Sequence, residues 1–122
     1  MKLFSSFVLL TSFFLYAGEI DSLLVRGRHL FYSSVEEPAQ IETAIAVFQD
    51  IAKRQPALAG RAMTYIGSLK ALQGKFAFWP HTKWKLANQG LAVMDSGLSM
   101  NPDDIESLFV HSSTCYFLPF FF

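Results

Sequence analysis

The sequence predicts an all-α protein. Three observations carry that prediction. Beyond residue 20, apolar residues recur in steps of three and four through nearly the whole chain. No segment alternates apolar and polar residues over the length of a strand. The prolines stand at the seams between the periodic stretches and not inside them.

The first candidate helix covers about residues 21–33, with an apolar face of Leu23, Leu24, Gly27, Leu30 and Phe31. Pro38 opens the second, because the missing N–H of a proline goes unneeded in a first turn. Ile41, Ala44, Phe48 and Ile51 form its stripe, which Ile45 and Ala52 widen. It closes at Gln55, since the residue before a proline is pushed out of the α region and Pro56 follows. The third, about residues 57–76, has the cleanest period: Leu58, Ala62, Tyr65, Leu69, Leu72 and Phe76. Gly74 weakens its end, and residues 76–79 make an aromatic turn. Pro80 opens the fourth, which runs to about Met100 on Trp84, Ala87, Leu91, Met94 and Leu98. Gly90 and Gly97 each cost about 1 kcal/mol of helix propensity. On an inward face such glycines let a neighbouring helix come close. After Asn101-Pro102 a fifth helix carries Ile105, Leu108, Ser112 and Cys115, and Pro119 stops it.

The first 17 residues read differently. Lys2 supplies positive charge, residues 3–16 are uncharged and mostly apolar, and the small pair Ala17-Gly18 precedes Glu19 and Asp21. That is the layout of a secretory signal peptide cleaved after Ala17. The apolar run is shorter than the roughly 20 residues of a spanning helix. The expected product is exported, periplasmic or secreted, with residues 18–122 as one helical domain. Membrane contact is expected only through an uncleaved signal segment or the apolar C-terminus. The charges balance, with ten basic and ten acidic residues in 122, and no basic stripe marks a nucleic-acid surface. The single cysteine, Cys115, allows neither a disulfide framework nor a thiolate metal site. Its place on an apolar helix stripe predicts that it is buried.

Two helices repeat one pattern. Ala44 is followed by Phe48 four residues later and by Pro56 eight after that. Gly90 is followed by Met94 and Pro102 at the same spacing. Hairpins that bury their faces against one another leave this self-similarity. The pattern resembles the tetratricopeptide repeat (TPR), with a small residue, a large one four later and a proline closing the second helix. Ile66-Gly67 resembles the Leu-Gly pair of a first helix, and NPDD at residues 101–104 looks like a turn between repeats. The resemblance implies antiparallel hairpins stacked as a short right-handed solenoid: hairpins at about 20–56 and 57–101, then the first helix of a third at 102–118. Pro56 and Pro102 are 46 residues apart against 34 in the standard repeat, so the array is irregular.

Residues that name a reaction are lacking. His29, His81 and His111 have no partner at ligand spacing, and no HEXXH, CXXC or Walker-type loop occurs. No catalytic residue, metal or cofactor is predicted. Asp103, Asp104 and Glu106 are read as first-turn acids that complement a helix dipole and cap free N–H groups. His111 and Cys115 stand one turn apart and are close enough to touch. The best candidate for partner binding is the aromatic cluster around Phe78, Trp79 and Trp84, since tryptophan is enriched at binding hot spots. The TPR resemblance implies a concave groove along the first and third helices, with that cluster at its rim, and an unidentified protein or peptide as partner. The expected function is therefore a non-catalytic protein-binding or scaffolding module. The alternative is a truncated fragment of a longer array, suggested by Phe120, Phe121 and Phe122 inside an unfinished third hairpin.

Overall fold

The computed structural model describes residues 18–120 in full, and residues 2–17 and Phe121 by their backbone alone. The predicted signal peptide and its cleavage point at Ala17 lie outside the residues whose side chains are described. Five helices follow one another: α1 (Lys2–Ser34), α2 (Ile41–Arg54), α3 (Ala59–Phe76), α4 (Pro80–Met100) and α5 (Ile105–Phe117). Short 3-10 turns at Pro38–Gln40 and Pro56–Leu58 lead into α2 and α3, and another at Leu118–Phe121 follows α5. Among the described residues there is no strand. The protein is all-α, as its periodicity predicts. Each proline opens a 3-10 turn or a helix, or sits in a turn. The one large boundary difference is at α1, which starts well before residue 21. Gly18 alone costs too little to end a helix there, and no proline assists it.

Contacts fix the helix directions. Glu19 pairs with Arg54, and Gly27 faces Phe48, so α1 and α2 are antiparallel. Phe48 stacks on Tyr65 at 4.3 Å, and Gln73 donates to Glu42, so α3 turns back along α2. Gly97 lies against Gly60, and Gly90 against Gly67, so α4 runs antiparallel to α3. Arg28 and Tyr65 both reach Glu106, Ser68 meets Thr114, and Lys75 reaches Val35. Hence α1, α3 and α5 run side by side in one direction.

The central helix is α3. Ala62, Tyr65, Leu69 and Leu72 are buried as predicted, and so are Thr64, Ile66, Ser68 and Ala71 on its other sides. Phe48, Ile51, Leu69 and Met94 are the largest fully buried apolar side chains. The α3–α4 seam is made by glycine. A Cβ added at Gly67 would lie 2.5 Å from Met94 N, and one at Gly90 would lie 2.5 Å from Ala71 N and Gly67 O. Backbone touches backbone there, so only hydrogen fits. This is why two costly glycines sit inside α4. The inward face of α4 is accordingly Ala87, Gly90, Met94 and Gly97, while Trp84 is exposed.

The fifth helix corrects a prediction. Ile105, Leu108, Ser112 and Cys115, its expected apolar stripe, face outward. Ser107, Val110 and Thr114 are buried instead. The small hydroxyls turn inward because each finds a partner: Ser107 Oγ donates to Asp104, and Thr114 Oγ1 donates to Val110 O and meets Ser68. Satisfied hydroxyls go into the core at little cost. Cys115, predicted buried, is therefore exposed.

Candidate functional site

One face of the molecule is built by α1, α3 and α5 together, and it is layered. At the end where α5 begins lies an ionic cluster. Arg28 grips Glu106 through two bonds of 2.6 and 2.8 Å, and Arg61 grips Asp104 through two of 3.0 and 2.7 Å. Arg61 also approaches Glu106 at 3.1 Å, and the Tyr65 hydroxyl donates to Glu106 at 2.5 Å. Three helices are thus tied at one point. The bidentate fork–carboxylate geometry is the strong form of such a pair.

The protonation shifts follow from these contacts. The Arg61 guanidinium holds Asp104 down to about 2, helped by the hydroxyl and N–H of Ser107. Arg28 holds Glu106 below the usual carboxylate range, and Tyr65 assists. Burial, and then the Glu106 carboxylate, push the Tyr65 phenol well up, so it stays a donor. Asp104 caps α5 by accepting from Ser107 N at 3.1 Å, as its position predicts. Glu106 does stand in the first turn of α5, as predicted, and is in addition the hub of the cluster. Sequence reasoning missed Arg28, Arg61 and Tyr65 in this role. The available signal was a tyrosine on an apolar stripe, because a buried phenol needs a hydrogen-bond partner.

Beyond the cluster, the same three helices part to leave a half-open groove of about 430 Å³. Phe31, Tyr32 and Val35 line one wall. Phe109, Val110, Ser113, Thr114 and Phe117 line the other, and Ser68, Leu72 and Lys75 of α3 form the base. Its size is within the range of small-ligand clefts. Lys75 stands at the far end, where its Nζ donates to Val35 O at 2.7 Å.

The predicted partner-binding residues lie next to that end, in and after the α3–α4 turn. Phe78, Trp79 and Trp84 are 83%, 60% and 66% exposed. Phe78 and Trp79 meet edge to face at 5.1 Å, and Trp79 stacks near His81 at 6.3 Å. None of the three lines the groove. Lys83, between the tryptophans in sequence, donates to the Gly74 and Lys75 carbonyls and so closes the end of α3. The repeat-defining residues divide by role. Ala44, Phe48, Gly90 and Met94 are buried, while Pro56 and Pro102 are exposed in turns.

His111 and Cys115 do touch, at 3.8 Å, and Asp95 of α4 lies 2.9 Å from the other His111 nitrogen. The line of thiol, imidazole and carboxylate has the order of a nucleophile site. Its electrostatics run the other way. Partial desolvation of the sulfur, and then the Asp95 charge, push the Cys115 thiol up even though the residue is exposed, whereas a reactive cysteine needs an electropositive setting. Among the described residues no group of three His, Cys, Asp or Glu side chains is placed to hold a metal ion. Likewise, among them no helix is long and apolar enough to cross a membrane.

No protein-family model, curated protein or solved structure matches the chain.

Proposed function

We propose that the chain is a TPR-like, non-catalytic protein-binding or scaffolding module that works outside the cytoplasm. The observation that carries this reading is the Phe78-Trp79-Trp84 patch. Three large aromatic side chains within seven residues are left mostly exposed beside a rigid glycine-packed hairpin. Aromatic anchors on a rigid frame lose little entropy when a partner covers them. The repeat reading has support in the packing. In each hairpin a first-helix glycine lies against the large second-helix residue of the pattern, Gly27 against the Phe48 ring and Gly67 against the backbone and side chain of Met94. Export rests on the signal-like residues 1–17.

Capture from an envelope fraction tests the patch, comparing wild type with a Trp79→Ala/Trp84→Ala variant. The expected result is loss of a specific partner. Unchanged capture by a folded double variant sinks the reading. N-terminal sequencing of the protein recovered from that fraction checks export, with Gly18 as the expected first residue.

A second reading has its own observation. Ile105, Leu108, Cys115 and Tyr116 form an exposed face on α5, the surface that the second helix of a third hairpin would cover. On this reading the chain is a fragment of a longer array with no independent function. In-frame coding sequence that continues the repeat past Phe122 would establish it.

A further inference from the structure

We propose that the outward face of α5 is a self-association surface, on which two copies of this chain pair their α5 helices antiparallel with Ser112 on the two-fold axis. The proposal goes beyond the partner reading and does not depend on the aromatic patch. It gives the α5 face a different occupant from the third hairpin of the fragment reading.

The first argument is the chemistry of the face. A surface helix keeps its charged residues on the side away from the core. In α5 that side holds Ile105, Leu108, Phe109, Ser112, Cys115 and Tyr116, all exposed and none of them acidic or basic. The two residues of α5 that can carry charge near neutral pH are turned aside. Glu106 pairs with Arg28 and Arg61, and His111 pairs with Asp95 of α4. A contiguous apolar surface of this kind marks an interaction site.

Symmetry selects a second copy as the occupant. In an isologous contact each patch meets itself, so any charge near the axis meets its own like. An uncharged face is free of that repulsion. The exposed positions are also palindromic about Ser112. Phe109 and Cys115 stand three residues to either side of it, Leu108 and Tyr116 four, and Ile105 and Pro119 seven. In an antiparallel pair each exposed residue therefore meets an exposed residue of the other copy. Size agrees with position. Ser112 is small where the two axes approach, and the large Phe109 meets the small Cys115. An unrelated partner places no such demand on the order of the residues.

The area is sufficient. Ile105, Phe109 and Tyr116 are 81%, 61% and 68% exposed. With aromatic side chains of about 150–250 Å² each, the face offers on the order of 600 Å² per copy, so the pair reaches the roughly 1,200 Å² of a specific interface. The Cys115 thiols do not link it. Three residues from the axis on either side puts them about 9 Å apart along the helices at a rise of 1.5 Å per residue, beyond the reach of a disulfide.

Sedimentation equilibrium of the full chain over about 1–100 μM tests the proposal, with a reversible dimer expected. Ser112→Lys sets two like charges on the axis from an exposed position, and should weaken association at least about 100-fold while helical circular dichroism is unchanged. Ser112→Cys in a Cys115→Ser background should form a covalent dimer under mild oxidation, much faster than wild type does through Cys115. A monomer throughout the range overturns the proposal. A dimer that survives Ser112→Lys has its contact elsewhere, residues 1–17 included, and overturns the face. Faster cross-linking through Cys115 than through Ser112→Cys overturns the antiparallel register. A longer in-frame chain that stays monomeric gives the face to a third hairpin and likewise overturns the pair. Trp79→Ala/Trp84→Ala should leave the dimer intact, so the partner reading and this one stand or fall separately.

Discussion

The two hairpins of this protein solve the same packing problem in opposite ways. Between α1 and α2 a side chain fills the gap. The Phe48 ring is fully buried, faces Gly27 and stacks on Tyr65. Between α3 and α4 nothing fills the gap, because there is none. Gly67 and Gly90 bring main chain against main chain, and Gly60 and Gly97 do the same one step further along. The first seam depends on a large residue and the second on absent ones. The second also carries the more severe constraint. A cavity can partly collapse, but a Cβ forced between two backbones can only push the helices apart.

The largest expected effect is therefore at the glycine seam. Gly90→Val should cost more than about 4 kcal/mol, enough to leave much of a domain this size unfolded, as read by chemical denaturation. Tolerance within 1 kcal/mol would mean that the helices are less tightly apposed than described. Phe48→Ala should come next, at about 3–5 kcal/mol, from lost burial plus the cavity it leaves. Gly27→Ala should cost less, about 1–2 kcal/mol. Its new Cβ would meet the edge of a ring, 2.9 Å from the nearest atom, and a ring can tilt where a backbone cannot. A larger loss for Gly27→Ala than for Phe48→Ala would break the contrast between the seams.

The ionic cluster ties both hairpins to α5, and its effect is intermediate. Asp104→Asn should cost about 2–3 kcal/mol, since it removes the charge that Arg61 pairs with, while an asparagine still caps α5. The sign of the pH dependence is fixed. Asp104 moves from 3.8 down to about 2 on folding, and Glu106 also moves below its ordinary 4.5. The unfolded chain then binds more protons in that interval. The stability they supply is complete above about pH 4.5 and drains as the pH falls towards 2. Acid titration of wild type and Asp104→Asn followed by circular dichroism should show the variant's curve flatter there. The smallest effect belongs to the aromatic patch, where Trp84→Ala should change stability by less than about 0.5 kcal/mol. A larger loss would mark Trp84 as a packing residue and weaken its candidacy as a partner anchor.

Much of the fold was legible. Pro38, Pro56, Pro80 and Pro102 mark the seams, and the stripes of α2 and α3 name buried residues correctly except at the ends of α3, where Leu58 is half-buried and Phe76 is exposed, because proline geometry and a period of 3.6 act locally. The face of α5 was misread because hydrophobicity alone ranks Leu108 and Cys115 above Ser107 and Thr114. That ranking reverses once Asp104 and Ser68 offer hydrogen bonds. Of the candidate site, the exposed aromatic cluster was visible in the sequence. The groove between α1, α3 and α5, with α5 as one wall, was not legible in the sequence.

By itself the sequence determined the helical class, the helix seams, the Asp104 cap and the glycines that permit close approach, since each depends on residues within a turn or two of one another. The tertiary structure decided which way α5 faces, that Glu106 binds Arg28 from 78 residues away, and that Lys75 closes one end of an apolar groove. Those outcomes depend on which helices become neighbours. Neighbours are chosen by packing and by the pairing of buried polar groups across the whole chain, which no local pattern records.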